Sequence, residues 1–304
     1  MSLIRKILLN RNSILIFAVI AGLIVGDYAN YIKDYNIFIL AITMTFSLSG
    51  LNLMLLNSIK KIAGPFLMGI FLNYFVFGSI LLSIAWLLVP SKELFFGFVV
   101  IVAAPPGVAI IPFTYILKGK VEYAITAVTG AFLASIFLAP LIVQIFAKSS
   151  GIKPFDLFLT MVQLVVIPLA IAQILRTKFL LPSVEKIRGK IVDFGFAIII
   201  FIAIGVNRNA LLPNLKILSL VVLALFISIF GLGIIYGFIA KKIGVDPKIV
   251  ITQKMLVTIK SSGFSIFTAM ALFGHEAAIP SAVLAVMVLL FLIFLSLRSH
   301  KSTQ

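Results

Sequence analysis

Lys260 stands inside Met255-Leu-Val-Thr-Ile-Lys-Ser-Ser-Gly-Phe-Ser-Ile-Phe, midway through an apolar segment where a charge has no ordinary place. An ammonium at bilayer depth costs about 2.5–3.5 kcal/mol on insertion scales, so it lines a cavity or pairs with something. Ser261-Ser262-Gly263 follows at once and can loosen a helix. A second interruption, Pro105-Pro106-Gly107 with Pro112 a turn and a half later, lies in another apolar segment. Two prolines remove two backbone donors, so a regular helix must open there. A cation beside a broken membrane helix is the layout of a solute or ion site.

Other chemistries lack residues. The chain has no Cys, which excludes disulfides and thiolate-held metals, and only His275 and His300 offer imidazole. No carboxylate pair, phosphate loop or nucleophile elbow is present. We therefore expect no enzyme activity, no cofactor and no metal.

The elements that must position Lys260 are membrane helices. The chain is 62% hydrophobic and 11% charged, with a mean hydropathy of +1.24, far from the ~25% charged residues of a soluble domain. Apolar stretches of about 20 residues, each enough to cross the hydrocarbon, recur from end to end. The expected spans in the first half are Ser13–Tyr31, Asn36–Leu56, Gly64–Val89, Leu94–Leu117 and Tyr123–Ala147. Those in the second are Phe155–Arg176, Ile191–Leu212, Ile217–Ala240, Ile249–Gly274 and Ala277–Leu297. The basic start Met1-Ser-Leu-Ile-Arg-Lys precedes an apolar run without a small-residue cleavage site, so it reads as the approach to a helix.

A net charge of +16 invites a nucleic-acid reading, but the basic residues sort by loop. With the N-terminus inside, 17 of the 25 fall in inner loops and tails and six in outer loops; Lys254 and Lys260 lie within a span. That bias places both termini in the cytoplasm of a cell (inner) membrane. Lys254, six residues from Lys248, snorkels to the cytoplasmic face. The basicity orients the chain and implies no nucleic acid.

The hydrophilic connector Arg176–Lys190 divides the spans five and five. Five is odd, so equivalent halves would be inverted relative to each other. Pro105 lies 13 residues beyond Lys92, and Lys260 lies 12 beyond Lys248. At 1.5 Å per residue both interruptions fall about 20 Å in, near the midplane. A single Pro-Pro-Gly reads as a kink; two breaks at matched positions, one beside a charge, read as a built feature.

Several segments, in this order and spacing, resemble the bile acid:sodium symporter family, in the larger group that includes auxin-type carriers and arsenite permeases. Met44-Thr-Phe-Ser-Leu-Ser-Gly-Leu-Asn-Leu, then Ile59-Lys-Lys, resembles its second span and basic exit. Ala104-Pro-Pro-Gly-Val-Ala, then Thr114-Tyr-Ile-Leu-Lys-Gly-Lys, is similar to its broken fourth span. Val162-Gln-Leu-Val-Val-Ile-Pro-Leu-Ala-Ile resembles the sixth, and Ser261-Ser-Gly-Phe-Ser with Ile279-Pro-Ser-Ala the ninth and the start of the tenth. The resemblance implies a panel domain and a core domain, with the broken fourth and ninth helices crossing in the core. It also implies sodium sites, from which this chain departs. Ile110 and Ile111 stand where polar side chains follow the fourth-span break. Ala124 and Val128 replace a fifth-span Ser and Thr, with Thr126 and Thr129 close by. Leu256 and Lys260 replace a ninth-span Glu and Gln, and Val288-Leu289 a tenth-span His-Asn pair; the third-span amide is partly kept as Asn73. Sodium wants several hard oxygens, and no Asp or Glu lies deep in a span.

The expected fold is an all-α polytopic membrane protein of ten transmembrane helices, two inverted five-helix repeats over residues 1–150 and 151–304. Core and panel would each draw on both repeats. The expected function is alternating-access transport of a small organic anion without sodium, with Lys260 in place of the cation at the free carbonyls of its own half-helix. Half-helix N-termini near Val108 and Phe264 would face the solute. The candidate solute site comprises Lys260, Ser261, Ser262 and Gly263 with Pro106, Gly107, Val108, Ala109 and Asn73; the ion-coupling set is Lys260, Asn73, Thr126 and Thr129. The alternatives are a proton-coupled or facilitative carrier, a receptor or scaffold that binds without translocating, and a Lys260 that merely snorkels in a wet crevice. Span-two Thr43, Thr45, Ser47 and Asn52 read as packing, and Asn207-Arg208-Asn209 as a solvated cap.

Overall fold

The computed structural model describes residues 11–50, 59–107, 109–146, 155, 159, 162–211 and 215–301. Every regular element among them is helical, apart from one isolated antiparallel bridge between Pro106 and Lys260. Helices suit a chain this apolar, because each one satisfies its own backbone where no water can. Among the described residues five helices are long and apolar enough to cross a membrane: Ile62–Leu88, Val121–Phe146, Leu181–Val206, Leu215–Lys242 and Glu276–Arg298.

The first helix, α1 (Arg11–Ile24), corrects the expected span Ser13–Tyr31. The chain bends by 94° after Ile24 into the helical stretch Gly26–Tyr35. The bend is pinned by Arg208, which donates to both carboxylate oxygens of Asp27 at 3.0 Å and to the Ile24 carbonyl at 3.1 Å. Arg208 is thus a strut and not a solvated cap. In α2 (Asn36–Leu48) the Thr43 and Thr45 hydroxyls bond back to Ile39 and Ala41, as expected of packing residues. Asn52 and the other residues of the expected second span beyond Gly50 lie outside the described residues.

The third helix, α3 (59–88), contains a π-helical turn at Phe71–Val76. The fourth is broken into α4a (Lys92–Ala103) and α4b (Ile110–Ile116), and α5 (Val121–Phe146) follows. Next come α6 (162–175), α7 (Leu181–Leu211) and α8 (Leu215–Lys242), the last with its own π-turn at Ile227–Gly231. The ninth is broken into α9a (Pro247–Leu256) and α9b (Ser262–Phe273), before α10 (Ile279–Lys301). Its break is displaced from the expected place: Val257–Ser261 is non-helical, and Ser262 and Gly263 already belong to α9b.

Two packing groups form. Helices α1 and α2 pack on α7 and α6 packs on α2, while α3, α4a, α5, α8, α9 and α10 pack on one another. Helix α7 touches the second group through α9b and α10, and α2 through α9b.

Candidate functional site

The two breaks meet. Ser261 N–H donates to the Pro105 carbonyl at 2.9 Å and Gly107 N–H to the Ile259 carbonyl at 3.4 Å, around the Pro106–Lys260 bridge. Such closeness needs a glycine at 107: a Cβ there would lie 2.9 Å from Ile259 Cγ2 and 3.3 Å from the Lys260 carbonyl.

Lys260 is 1% exposed, so it does not snorkel. Its Nζ donates to Asn73 Oδ1 at 2.7 Å, the Val102 carbonyl at 2.8 Å and the Ala104 carbonyl at 2.9 Å. The Tyr74 ring covers it, with its centroid at 4.1 Å. Three acceptors match the three N–H bonds of an ammonium. A neutral amine would aim its lone pair at one of these oxygens, so the cage is built for the charged form.

The local sequence explains each wall. In a continuous helix the Val102 carbonyl would accept from residue 106, but Pro106 has no N–H, so that carbonyl is free. Asn73 and Tyr74 come from the π-turn of α3, where Leu72, Asn73 and Tyr74 are buried in succession. An α-helix turns 100° per residue and would spread the three over more than half its girth; the wider π-turn brings them inward together. Tyr74 is held in turn by its hydroxyl, which donates to the Ala131 carbonyl of α5 at 3.0 Å.

The expectation that Lys260 would sit at the carbonyls of its own half-helix is corrected. Asn73 Nδ2 takes those carbonyls, donating to Leu256 at 2.8 Å and to Ile259 at 3.5 Å. The extended backbone at Lys260 directs its side chain across the bridge to the end of α4a instead. The result is reciprocal: α9 supplies the cation for the C-terminal end of α4a, and α3 supplies the cap for α9a.

The crossing thus unites Lys260, Asn73, Pro106, Gly107 and Ser261. Ser262 opens α9b and borders a cavity of about 40 Å³ with Leu15, Phe113, Phe196, Val288 and Leu289. Gly263 lies against the Phe196 ring, and Phe264 is wholly buried. Ala109 precedes α4b and lines a separate crevice facing α2 and α7. Val108 lies outside the described residues. Thr126 bonds to the Glu122 carbonyl of its own helix, and the Thr129 hydroxyl is buried with no hydrogen-bond partner among the described residues; neither is among the groups that hold Lys260. Ile110 and Leu256 are fully buried. Lys254 runs across Gly237 of α8, half-buried.

A polar relay escaped sequence reading. Tyr236 of α8 donates to Gln253 Oε1 at 3.0 Å, and Gln253 Nε2 donates to the Tyr123 hydroxyl of α5 at 2.9 Å. It ties α9a to both neighbours, and only the polarity of Gln253 inside a span could have flagged it. Thr114 and Thr252, 3.5 Å apart, make a similar contact between α4b and α9a.

Apolar helices with two broken ones joined back to back, around a buried charge, define a multi-pass membrane protein of the transporter type. Residues 37–241 match the model of the sodium bile acid symporter family, and the chain belongs to it. Among its relatives is an uncharacterized sodium-dependent transporter, YocS, of Bacillus subtilis (strain 168), 24% identical over 72% of this chain and 68% of that one. Another is the probable sodium/metabolite cotransporter BASS1, chloroplastic, of Arabidopsis thaliana, 26% identical over 62% of this chain. That match spans 48% of the plant protein, about half its length.

Proposed function

We propose that this protein is a secondary transporter that moves a small organic anion across the cell (inner) membrane by alternating access, without sodium coupling. The observation that carries the reading is the Lys260 ammonium, saturated by Asn73 Oδ1 and the Val102 and Ala104 carbonyls. Helix-end carbonyls are where such folds hold a coupling cation. A tethered ammonium occupies them permanently, and its charge offsets the partial negative charge of the α4a terminus. The family name and both relatives' names include sodium. Ile110 and Leu256, at positions where the family resemblance implies polar ligands, are buried apolar side chains that offer sodium no oxygen.

The order of elements supports two inverted repeats. A helix with a π-turn, then a broken helix, then a long helix occurs as α3, α4 and α5 and again as α8, α9 and α10. In this reading both termini are cytoplasmic, residues 1–150 and 151–304 are the repeats, and the two packing groups are the panel and core. Ser262, Gly263 and Ala109 face the solute as one group slides past the other.

A second reading, residual sodium coupling, is favoured by the relatives' names and by Thr129, whose buried hydroxyl has no partner among the described residues. A thermal-shift screen of small organic acids in sodium and in choline separates the two and supplies a solute. Counterflow of that labelled solute in proteoliposomes then tests the reading itself. A carrier exchanges label; a receptor or scaffold binds it and does not.

A further inference from the structure

The crevice that holds Ala109 carries a charge that the crossing does not use. It has a volume of about 260 Å³ and lies between α2, α4b and α7. Ser47 and Gly50 line it from α2, Ile111 and Pro112 from α4b, and Arg188, Val192 and Asp193 from α7. Arg188 is half-buried and lies over Gly50, where a Cβ would come 2.8 Å from its Nη1. The space that admits the guanidinium therefore exists because residue 50 has no side chain.

A helix-capping role would account for an arginine at the end of α2, but another residue fills it. Arg176 Nη1 donates to the Ser49 carbonyl at 2.7 Å, at the end of the helix. Arg188 is a second cation one residue further on, facing an open cavity. On α7 the crevice is lined by Arg188, Gly189, Val192 and Asp193, so Arg188 is the cation its described lining presents. A guanidinium fork fits a carboxylate with two parallel bonds. Ala109, two residues past Gly107 of the crossing, also lines the crevice.

We infer that Arg188 docks the carboxylate of a small organic acid at the cytoplasmic mouth of this crevice, on its way to or from the crossed breaks. The inference rests on the transporter reading for its purpose, and on the crevice alone for its geometry.

The chain has no cysteine, so a single Val192→Cys, one turn beyond Arg188, reports on the crevice directly. Its labelling by an anionic and by a cationic methanethiosulfonate is compared with that of a free thiol. We expect a relative preference of about tenfold for the anionic reagent, lost in Arg188→Gln. Butyrate or hexanoate should slow labelling, while their amides should not. Arg188→Lys should keep the reagent preference and lose the protection, because a point charge lacks the fork. Equal relative rates in the parent, a preference that survives Arg188→Gln, or equal protection by acid and amide would each overturn the assignment. A melting curve for each variant confirms that the crevice being probed is folded. Labelling reads the crevice and not translocation, so its outcome stands apart from that of the counterflow assay.

Discussion

Asn73 faces two ways at the crossing: its Oδ1 accepts from Lys260 Nζ at 2.7 Å, and its Nδ2 donates to the Leu256 carbonyl that ends α9a. One amide therefore links the buried charge, the helix that carries it and the π-turn of α3. A hydrogen bond to a charged group contributes about 1.5–3 kcal/mol, and a buried unpaired group costs about as much. We expect Asn73→Leu to lose several kcal/mol, read as a fall in detergent melting temperature. Asn73→Asp keeps the acceptor and loses the donor, and should fall between the two.

Gly107 should be intolerant for a different reason. Gly107→Val meets Ile259 and the Lys260 backbone at the bridge. Overpacking of this kind costs about 1–3 kcal/mol. The same assay should show that loss, and an unchanged melting temperature would mean that the breaks are further apart than described.

Binding and counterflow should be indifferent to replacing sodium with potassium or choline. A tenfold loss of affinity on removing sodium, about 1.4 kcal/mol of coupling, would point to oxygen ligands such as Thr129 that the sodium-free reading leaves idle.

Both termini should be cytoplasmic. Single cysteines at Ser2 and Ser302 should stay unlabelled by an impermeant reagent in intact cells and react after permeabilisation. Labelling of either in intact cells would sink the topology and the inverted repeats with it.

How much of this could be read from the sequence differs by residue. Pro105 and Pro106 announced the fourth-helix break because a missing N–H is a local property. The ninth-helix break was placed too late, since Ser261-Ser262-Gly263 looks loose while the real end at Leu256 is set by contacts with α3 and α4. Lys260 was conspicuous by its burden of charge, but its partners are 158 residues away at Val102 and 187 away at Asn73, and no local pattern encodes them. The π-turn behind Asn73 and Tyr74 has no residue signature. Arg188 was counted among the charges that set topology; only the assembled crevice beside Gly50 gives it another use. The bend after Ile24 was hidden because apolar residues continue through it.

The most direct test of the tethered cation compares sodium binding by the wild type and by Lys260→Gln, as the rise in melting temperature between choline and sodium. Removing the ammonium leaves Asn73 Oδ1 and the Val102 and Ala104 carbonyls as a vacant set of oxygens, so the variant should gain a sodium-dependent stabilisation. At a hundredfold excess over Kd that is about 2.7 kcal/mol. The wild type should show none. Sodium stabilising the wild type as much as the variant, or neither of them while both remain folded, would contradict the claim that Lys260 stands where a coupling cation would bind.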